Sequence, residues 1–167
     1  MNKISINKDF RIVKTFKNKG IFEEYIFIDK TQSDYTLIKN IGIEFARLGK
    51  SVKATPTVHF KSIEYALIYG TLENTIYYRK CPDLIVDGIF YEVESYSPPF
   101  KKEKISNMIN KGSVQSSRII INNNKGASDR YIRDNIYKRL KDKKFKRDIN
   151  ELWLYEKGKL RLLYKKQ

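Results

Sequence analysis

The chain has 167 residues, a formal net charge of +15, one cysteine and one histidine. These counts exclude a disulfide framework and a zinc cluster of Cys and His ligands. No segment has the length and apolar character of a transmembrane helix or a cleaved signal peptide, so a protein with no membrane partner is expected. We expect it in the cytoplasm, unless it is exported without a cleaved signal.

The positive charge is concentrated towards the C-terminus. Residues 1–100 hold 14 Lys and Arg against 12 Asp and Glu, whereas residues 101–167 hold 20 against 7. This asymmetry indicates a polyanionic partner, and nucleic acid is the simplest one. The alternative is a lysine-rich composition that only solvates the surface.

The N-terminal half alternates strand and helix patterns. Two β-prone runs around the turn "KNKG" predict a hairpin. Apolar residues at helical spacing over residues 37–48 predict an amphipathic helix that ends at Gly49. The elements predicted next are a short strand in "SVKATP" that Pro56 stops, a helix over 59–69 and a short strand at 75–80.

The C-terminal half continues this alternation. The segment "DLIVDGIFYEVES" predicts a hairpin that turns at Asp87-Gly88. A helix over 101–111 is predicted to stop at Gly112. The elements after it are a buried strand in "SRIIINN" (117–123), a basic amphipathic helix over 128–141 and a hairpin around Lys157-Gly158.

Together these patterns predict an α+β fold in which helices pack on a mixed or antiparallel central sheet built from hairpins. We expect one domain over residues 1–167. Its predicted segments are an N-terminal hairpin at 1–30, a core with the acidic motif at 31–125, and a basic helix with a closing hairpin at 126–167.

Four acids crowd the stretch "CPDLIVDGIFYEVESYSP". A two-residue turn would place Asp83 opposite Glu92, with Cβ atoms about 5 Å apart, and like charges in that position destabilise a sheet. A cation or a shared proton would offset this cost, which is typical of a catalytic or metal-binding carboxylate pair. The alternative is an edge hairpin whose acids face water.

The order of motifs carries a family resemblance. "IEFARLGKSVKATP", "CPDLIVDGIFYEVESYSPPF", a Lys-rich helix and "KGSVQSSRIIINN" follow one another over residues 41–125. This order resembles the C-terminal tRNA-cleaving toxin domain of contact-dependent inhibition proteins (CdiA) and the related barnase–EndoU–colicin–RelE nucleases. The resemblance implies an RNA-cleaving α+β domain and a cognate immunity protein as a partner.

The resemblance assigns site residues by position. Asp83 matches the acid of the family's Pro-Asp dipeptide, Glu92 the acid on the next strand, Ser95 the hydroxyl residue, and Gln115 the glutamine before the buried strand. Glu94 departs from the pattern, because the family has lysine there and a glutamate cannot stabilise charge on a phosphate. Three options follow: a metal-assisted site, a site that takes its cation from elsewhere, or a lost activity.

The candidate catalytic residues are therefore Asp83, Glu92, Glu94, Ser95 and Gln115. The candidate nucleic-acid-binding residues are Lys101, Lys102, Lys111, Arg118, Arg130 and Arg133. Metal-free RNA cleavage needs a base for the 2′-OH, an acid for the leaving oxygen and cations for the phosphorane. In a metal-dependent version, Asp83 and Glu92 would hold Mg²⁺.

The expected function is thus cleavage of RNA, with tRNA favoured, by a toxin or mobile-element nuclease. One alternative is a Mg²⁺-dependent DNA endonuclease of the PD-(D/E)xK type, in which glutamate replaces the lysine. Another is a nucleic-acid-binding protein of the same fold that has lost activity. The lone His59 is read as structural rather than catalytic, and Cys81 as a small buried residue rather than a nucleophile.

Overall fold

A computed structural model describes residues 9–167 of the chain. Residues 1–8, which belong to the predicted N-terminal hairpin segment, lie outside the described residues. The chain groups into two compact units, which divide it between Ile89 and Phe90. Each unit is described by itself below.

Residues 9–167 contain eight strands, four α-helices and one turn of 3₁₀ helix at Gly70–Leu72. The first unit contains β1 (Phe10–Thr15), β2 (Ile21–Tyr25), α1 (Tyr35–Arg47), β3 (Ser51–Ala54), α2 (Ile63–Tyr69) and β4 (Leu84–Val86). After β5 (Ile89–Glu94), which begins at the boundary, the second contains α3 (Glu103–Gln115), β6 (Arg118–Asn122), α4 (Asp129–Lys141), β7 (Glu151–Glu156) and β8 (Lys159–Lys165). Among the described helices, none combines the length and apolar character needed to cross a membrane.

The first unit is a four-stranded mixed sheet with strand order β1-β2-β3-β4. The β1–β2 hairpin is antiparallel, α1 crosses over so that β3 runs parallel to β2, and β4 returns antiparallel to β3. α1 packs closely on the sheet because Gly42 leaves room for the ring of Phe22. A Cβ atom at Gly42 would lie 2.3 Å from that ring.

The second unit is also mixed. α3 connects β5 to a parallel β6, α4 connects β6 to a parallel β7, and β8 folds back antiparallel to β7. Parallel neighbours need such crossover connections, and here the helices supply them. The apolar faces of α3 and α4 cover one face of the strands and form the core of Ile105, Met108, Ile109, Ile119, Ile121, Ile132, Ile136, Leu152 and Leu154.

The predicted fold class, α+β with a mixed sheet built from hairpins and helices packed on it, is confirmed. Both two-residue turns predicted from sequence are present. Asp87 and Gly88 have φ values of 48° and 80°, and Lys157 and Gly158 have φ values of 48° and 77°. Two positive φ values are the geometry that closes tight hairpins, and glycine adopts it readily.

Two predictions about elements are wrong. Residues 75–80 form turns rather than a strand, since Tyr78 N and Lys80 N donate hydrogen bonds to carbonyl groups three residues earlier. The predicted helix over 59–69 begins later, at Ile63, because Ser62 caps it by accepting a hydrogen bond from Tyr65 N.

A third wrong prediction concerns Gly112, which does not end α3. The helix continues three residues further to Gln115, and Gly112 is a site of close packing inside it. A Cβ atom there would lie 2.8 Å from Ile119 Cγ2 and 3.2 Å from Glu94 Cγ. Glycine is therefore needed because α3 lies directly on β5 and β6, and not because the chain leaves the helix.

This close approach predicts that Gly112→Ala destabilises the protein. Overpacking against Ile119 costs about 1–3 kcal/mol, which outweighs the gain of about 1 kcal/mol in helix propensity. Gly70→Ala is the matched control, because no atom lies within 4 Å of a Cβ placed at Gly70. Thermal or urea unfolding should show a loss for Gly112→Ala and none for Gly70→Ala, and equal stability of the two variants would contradict the close contact.

A buried carboxylate joins β1, β2 and α1 in the first unit. Glu24 is 2% exposed and accepts hydrogen bonds from Tyr35 Oη at 2.7 Å and Arg11 Nε at 2.9 Å, with Lys30 Nζ at 3.0 Å. Burial alone would raise the pKa of Glu24, but the bonds from Tyr35, Arg11 and Lys30 outweigh it and lower the pKa to about 2. Burial and the bond to Glu24 raise the pKa of Tyr35 to about 12.

The lowered pKa of Glu24 predicts a pH-dependent contribution to stability. The contribution is complete above the ordinary pKa of 4.5 and is lost as the pH falls towards about 2. Its size is at most about 3 kcal/mol, because solvent around Arg11 and Lys30 screens the pairs. Urea unfolding should show a stability gap between the wild type and Glu24→Gln that is large at neutral pH and much smaller near the folded-state pKa. A gap of constant size would contradict this assignment.

Candidate active site

Glu92 and Glu94 lie on the face of β5 that α3 covers. In the parallel ladder, Glu92 is aligned with Ile119 and Glu94 with Ile121, so these side chains share a face of the sheet. The contact between Glu94 and Gly112 independently places Glu94 under α3. The predicted alternation, with both glutamates on one face, is confirmed within the second unit.

A cavity of about 250 Å³ opens where β5 ends beside α3. Ser95, which directly follows Glu94, lines this cavity together with two lysines of α3, Lys104 and Lys111. The other lining residues are Tyr96, Ser97, Asn107 and Met108. The structure therefore brings a serine and two lysines together at one cavity, and Glu94 directly precedes that serine in the chain.

Helical spacing explains how α3 supplies these cations. Lys104, Met108, Lys111 and Gln115 follow one another at intervals of four, three and four residues, which places them along one stripe of the helix. Lys104 also donates a hydrogen bond from Nζ to the carbonyl of Ser97, which ties the loop after β5 to the helix. Lys111 forms no ion pair with any of residues 9–167.

Gln115 ends the same stripe as the last residue of α3. Its Oε1 atom is shielded from solvent, and no donor among the described residues bonds to it. Buried polar atoms normally have hydrogen-bond partners, so an acceptor left open in this position is suited to a donor from a ligand.

Asp83 and Asp87 belong to the first unit. The backbone carbonyl of Asp83 accepts a hydrogen bond from Thr55 N at 3.0 Å, immediately before β4. Asp87 accepts a hydrogen bond from Ser51 N at 2.9 Å and pairs with Lys50 Nζ at 2.9 Å, so it stabilises the turn. Burial alone would raise the pKa of Asp87, but these contacts lower it. The cross-strand pairing of Asp83 with Glu92 stays a prediction.

Arg118 of β6 points to the face of the sheet opposite the one that carries Glu92 and Glu94. Its neighbour Ile119 is aligned with Glu92, and alternation turns Arg118 away. Arg118 Nε lies 3.8 Å from Glu151 Oε1. Glu151 Oε2 accepts hydrogen bonds from Tyr91 Oη at 2.8 Å and Trp153 Nε1 at 2.9 Å. Sequence patterns gave no sign of this cluster, because its members are distant along the chain.

The remaining predicted cations are distributed over the surface of the second unit. Lys101, Lys102, Arg130 and Arg133 are all exposed. Lys102 precedes α3, and its Nζ atom lies 5.9 Å from the ring centroid of Tyr131. None of these four lines the cavity at Ser95, which is lined by Lys104 and Lys111 instead.

His59 and Cys81 lie in the first unit. His59 is exposed, and its Nδ1 atom accepts a hydrogen bond from Lys61 N at 3.2 Å. Burial raises the pKa of the Cys81 thiol, which disfavours the thiolate that a nucleophile requires. These contacts agree with a structural use of both residues.

Lys104 and Asn107 were not predicted as site residues. The available signal was the spacing of seven residues between Lys104 and Lys111, which places two lysines two turns apart on one helix face. Arg139 of α4 donates hydrogen bonds to Asn110 Oδ1 at 2.6 Å and the Ser106 carbonyl at 2.8 Å. It therefore fastens α4 to α3, and burial lowers its pKa.

Within residues 9–167, the His, Cys, Asp and Glu side chains form no group of three or more that could hold a metal ion.

Comparisons with known proteins identified no family for this chain. No protein-family model matches it, and neither a curated protein nor a solved structure does. The resemblance to tRNA-cleaving toxin domains stays a prediction.

Proposed function

We propose that this protein is a metal-independent nuclease that cleaves RNA, with tRNA as the favoured substrate, at the cavity between β5 and α3. The observation that supports this most is the lining of that cavity. Ser95, Lys104 and Lys111 line a cavity of about 250 Å³, and Glu94 directly precedes Ser95 in the chain. The lysine that the nuclease motif lacks on β5 is replaced in this proposal by lysines from the neighbouring helix.

The proposed reaction is transfer of the phosphoryl group to the neighbouring 2′-oxygen. Glu94 accepts the proton of the 2′-OH, the 2′-oxygen forms a bond to phosphorus, and the bond from phosphorus to the 5′-oxygen breaks. Lys111 donates a proton to the leaving 5′-oxygen. Positioned general acids and bases of this kind accelerate reactions by about 10²–10⁴-fold each.

Charge stabilisation comes from the same cavity. The ammonium groups of Lys104 and Lys111 offset the negative charge that develops on the phosphorane, in a site partly closed off from water. The open Oε1 acceptor of Gln115 is suited to a hydroxyl or amino group of the nucleotide.

Cleavage of total tRNA by the purified protein is the direct test. Glu94→Gln should lower the rate by about 10²–10⁴-fold because it removes the base. Lys111→Gln should lower it by about 10²–10³-fold because it removes a cation at the phosphorane. Lys125→Gln is the matched control, since it removes the same charge from an exposed loop outside the cavity and should cleave like the wild type.

Metal dependence separates this proposal from its rivals. Cleavage of tRNA should be the same with Mg²⁺ and with EDTA, because the reaction uses side chains alone. Intact tRNA under both conditions would overturn the RNase proposal. Nicking of plasmid DNA that EDTA abolishes would favour a metal-dependent endonuclease with Asp83 and Glu92 as ligands. Salt-sensitive binding without cleavage, unchanged in Glu92→Gln, would favour an inactive nucleic-acid-binding protein.

A further inference from the structure

A second cavity in the same unit lies between α4 and β8. It has a volume of about 440 Å³ and is lined by Arg133, Tyr137, Leu163, Tyr164, Lys165 and Gln167. These six residues define the α4–β8 groove. Its volume lies within the range of ligand sites and is large enough for one nucleotide.

Two aromatic rings are presented in the groove. The rings of Tyr137 and Tyr164 meet edge to face, with centroids 6.1 Å apart and an interplanar angle of 86°. In that arrangement each ring keeps at least one face that its partner does not cover. Tyr137 is 47% exposed, although the preceding residue, Ile136, is fully buried in the core. An exposed ring held by a rigid helix is a platform on which a base can stack.

The groove also carries two cations whose charge is not offset by an ion pair. Arg133 lies one helical turn before Tyr137, and Lys165 follows Tyr164 on β8. No carboxylate among residues 9–167 pairs with either of them. The nearest acid towards the start of the helix, Asp129, is held by Arg161 at 2.6 Å and 2.8 Å, and these hydrogen bonds, with weaker attraction from Arg161 and Arg133, lower the pKa of Asp129.

Two other basic residues of this unit, unlike Arg133 and Lys165, form ion pairs. Arg161 pairs with Asp129 and Glu156, and Lys166 pairs with Asp148 at 2.8 Å. These cations stabilise the fold. The positive charge of the α4–β8 groove is therefore concentrated where aromatic rings are exposed, and this combination recognises the phosphates and bases of single-stranded nucleic acid.

We infer that the α4–β8 groove is a binding subsite for a single-stranded segment of nucleic acid. One base stacks on the exposed ring of Tyr137, and the flanking phosphates contact Arg133 and Lys165. This inference rests on the proposed function for the choice of polymer, but the subsite is separate from the cavity at Ser95 and binds without cleavage. Because stacking and phosphate contacts carry little sequence information, the subsite holds the strand rather than selecting its sequence.

Binding of a short oligonucleotide tests the inference without any cleavage. The probe is a fluorescently labelled oligouridine with 2′-O-methyl groups, measured by anisotropy in EDTA over a range of salt concentrations. Tyr137→Ala should weaken binding by about tenfold, as loss of one base stack does. Tyr137→Phe keeps the ring and should bind like the wild type. Equal binding by Tyr137→Ala and Tyr137→Phe would overturn the inference.

The phosphate contacts of Arg133 and Lys165 are tested by the salt dependence of oligonucleotide binding. Replacing Arg133 and Lys165 by Gln should reduce the slope of log K against log salt by about 1.4, at about 0.7 per phosphate contact in a single strand. The control replaces Lys138 and Lys157, which are exposed and outside the groove, and should keep the slope. An unchanged slope for the first pair would overturn the inference, as would equally tight, tyrosine-independent binding of poly-glutamate.

The two proposals fail in different ways. If tRNA stays intact while oligonucleotide binding depends on Tyr137, the nuclease proposal fails and the subsite stands. If tRNA is cleaved while oligonucleotide binding ignores both Tyr137 and the Arg133–Lys165 pair, the subsite fails and the nuclease stands. Circular dichroism of each variant confirms that the fold is intact before binding is measured.

Discussion

The close approach of α3 to the β5–β6 ladder is the constraint on which the candidate site depends. Gly112 permits it, because any larger residue would collide with Ile119 and with the Glu94 side chain. The stripe of α3 that flanks this contact carries Lys104 and Lys111. Lys104 and Lys111 of α3 therefore line one cavity with Ser95, which directly follows β5.

The surroundings of α3 support that placement. Arg139 of α4 bonds to Ser106 and Asn110 on the outer side of α3, while the apolar side of α3 is buried against the sheet. Lys104 holds the loop after β5 through the Ser97 carbonyl. Contacts of this kind preorganise a site, since they fix the positions of charged groups before a substrate arrives.

The basic residues of the second unit fall into two groups, those with partners within the unit and those without an ion pair. Some of the basic residues have partners within the unit. Arg139 forms hydrogen bonds, and Arg161 and Lys166 form ion pairs. The rest lie at the surface near exposed rings or beside the cavity at Ser95. Net charge alone cannot separate these uses, because both kinds of residue count equally in a sequence. The separation appears only when the partners of each cation are known.

The sequence by itself determined the local structure, because local structure depends on neighbours along the chain. Hydrophobic periodicity identified the helices, and the Asp87-Gly88 and Lys157-Gly158 pairs identified the tight turns. Alternation also placed Glu92 and Glu94 on one face. It misread Gly112 as a helix end, since a glycine needed for packing looks the same in sequence as a glycine needed for a turn. Only the tertiary structure decided which cations line a cavity with Ser95, because the packing of α3 beside the end of β5 joins residues whose spacing in sequence does not encode their distance in space.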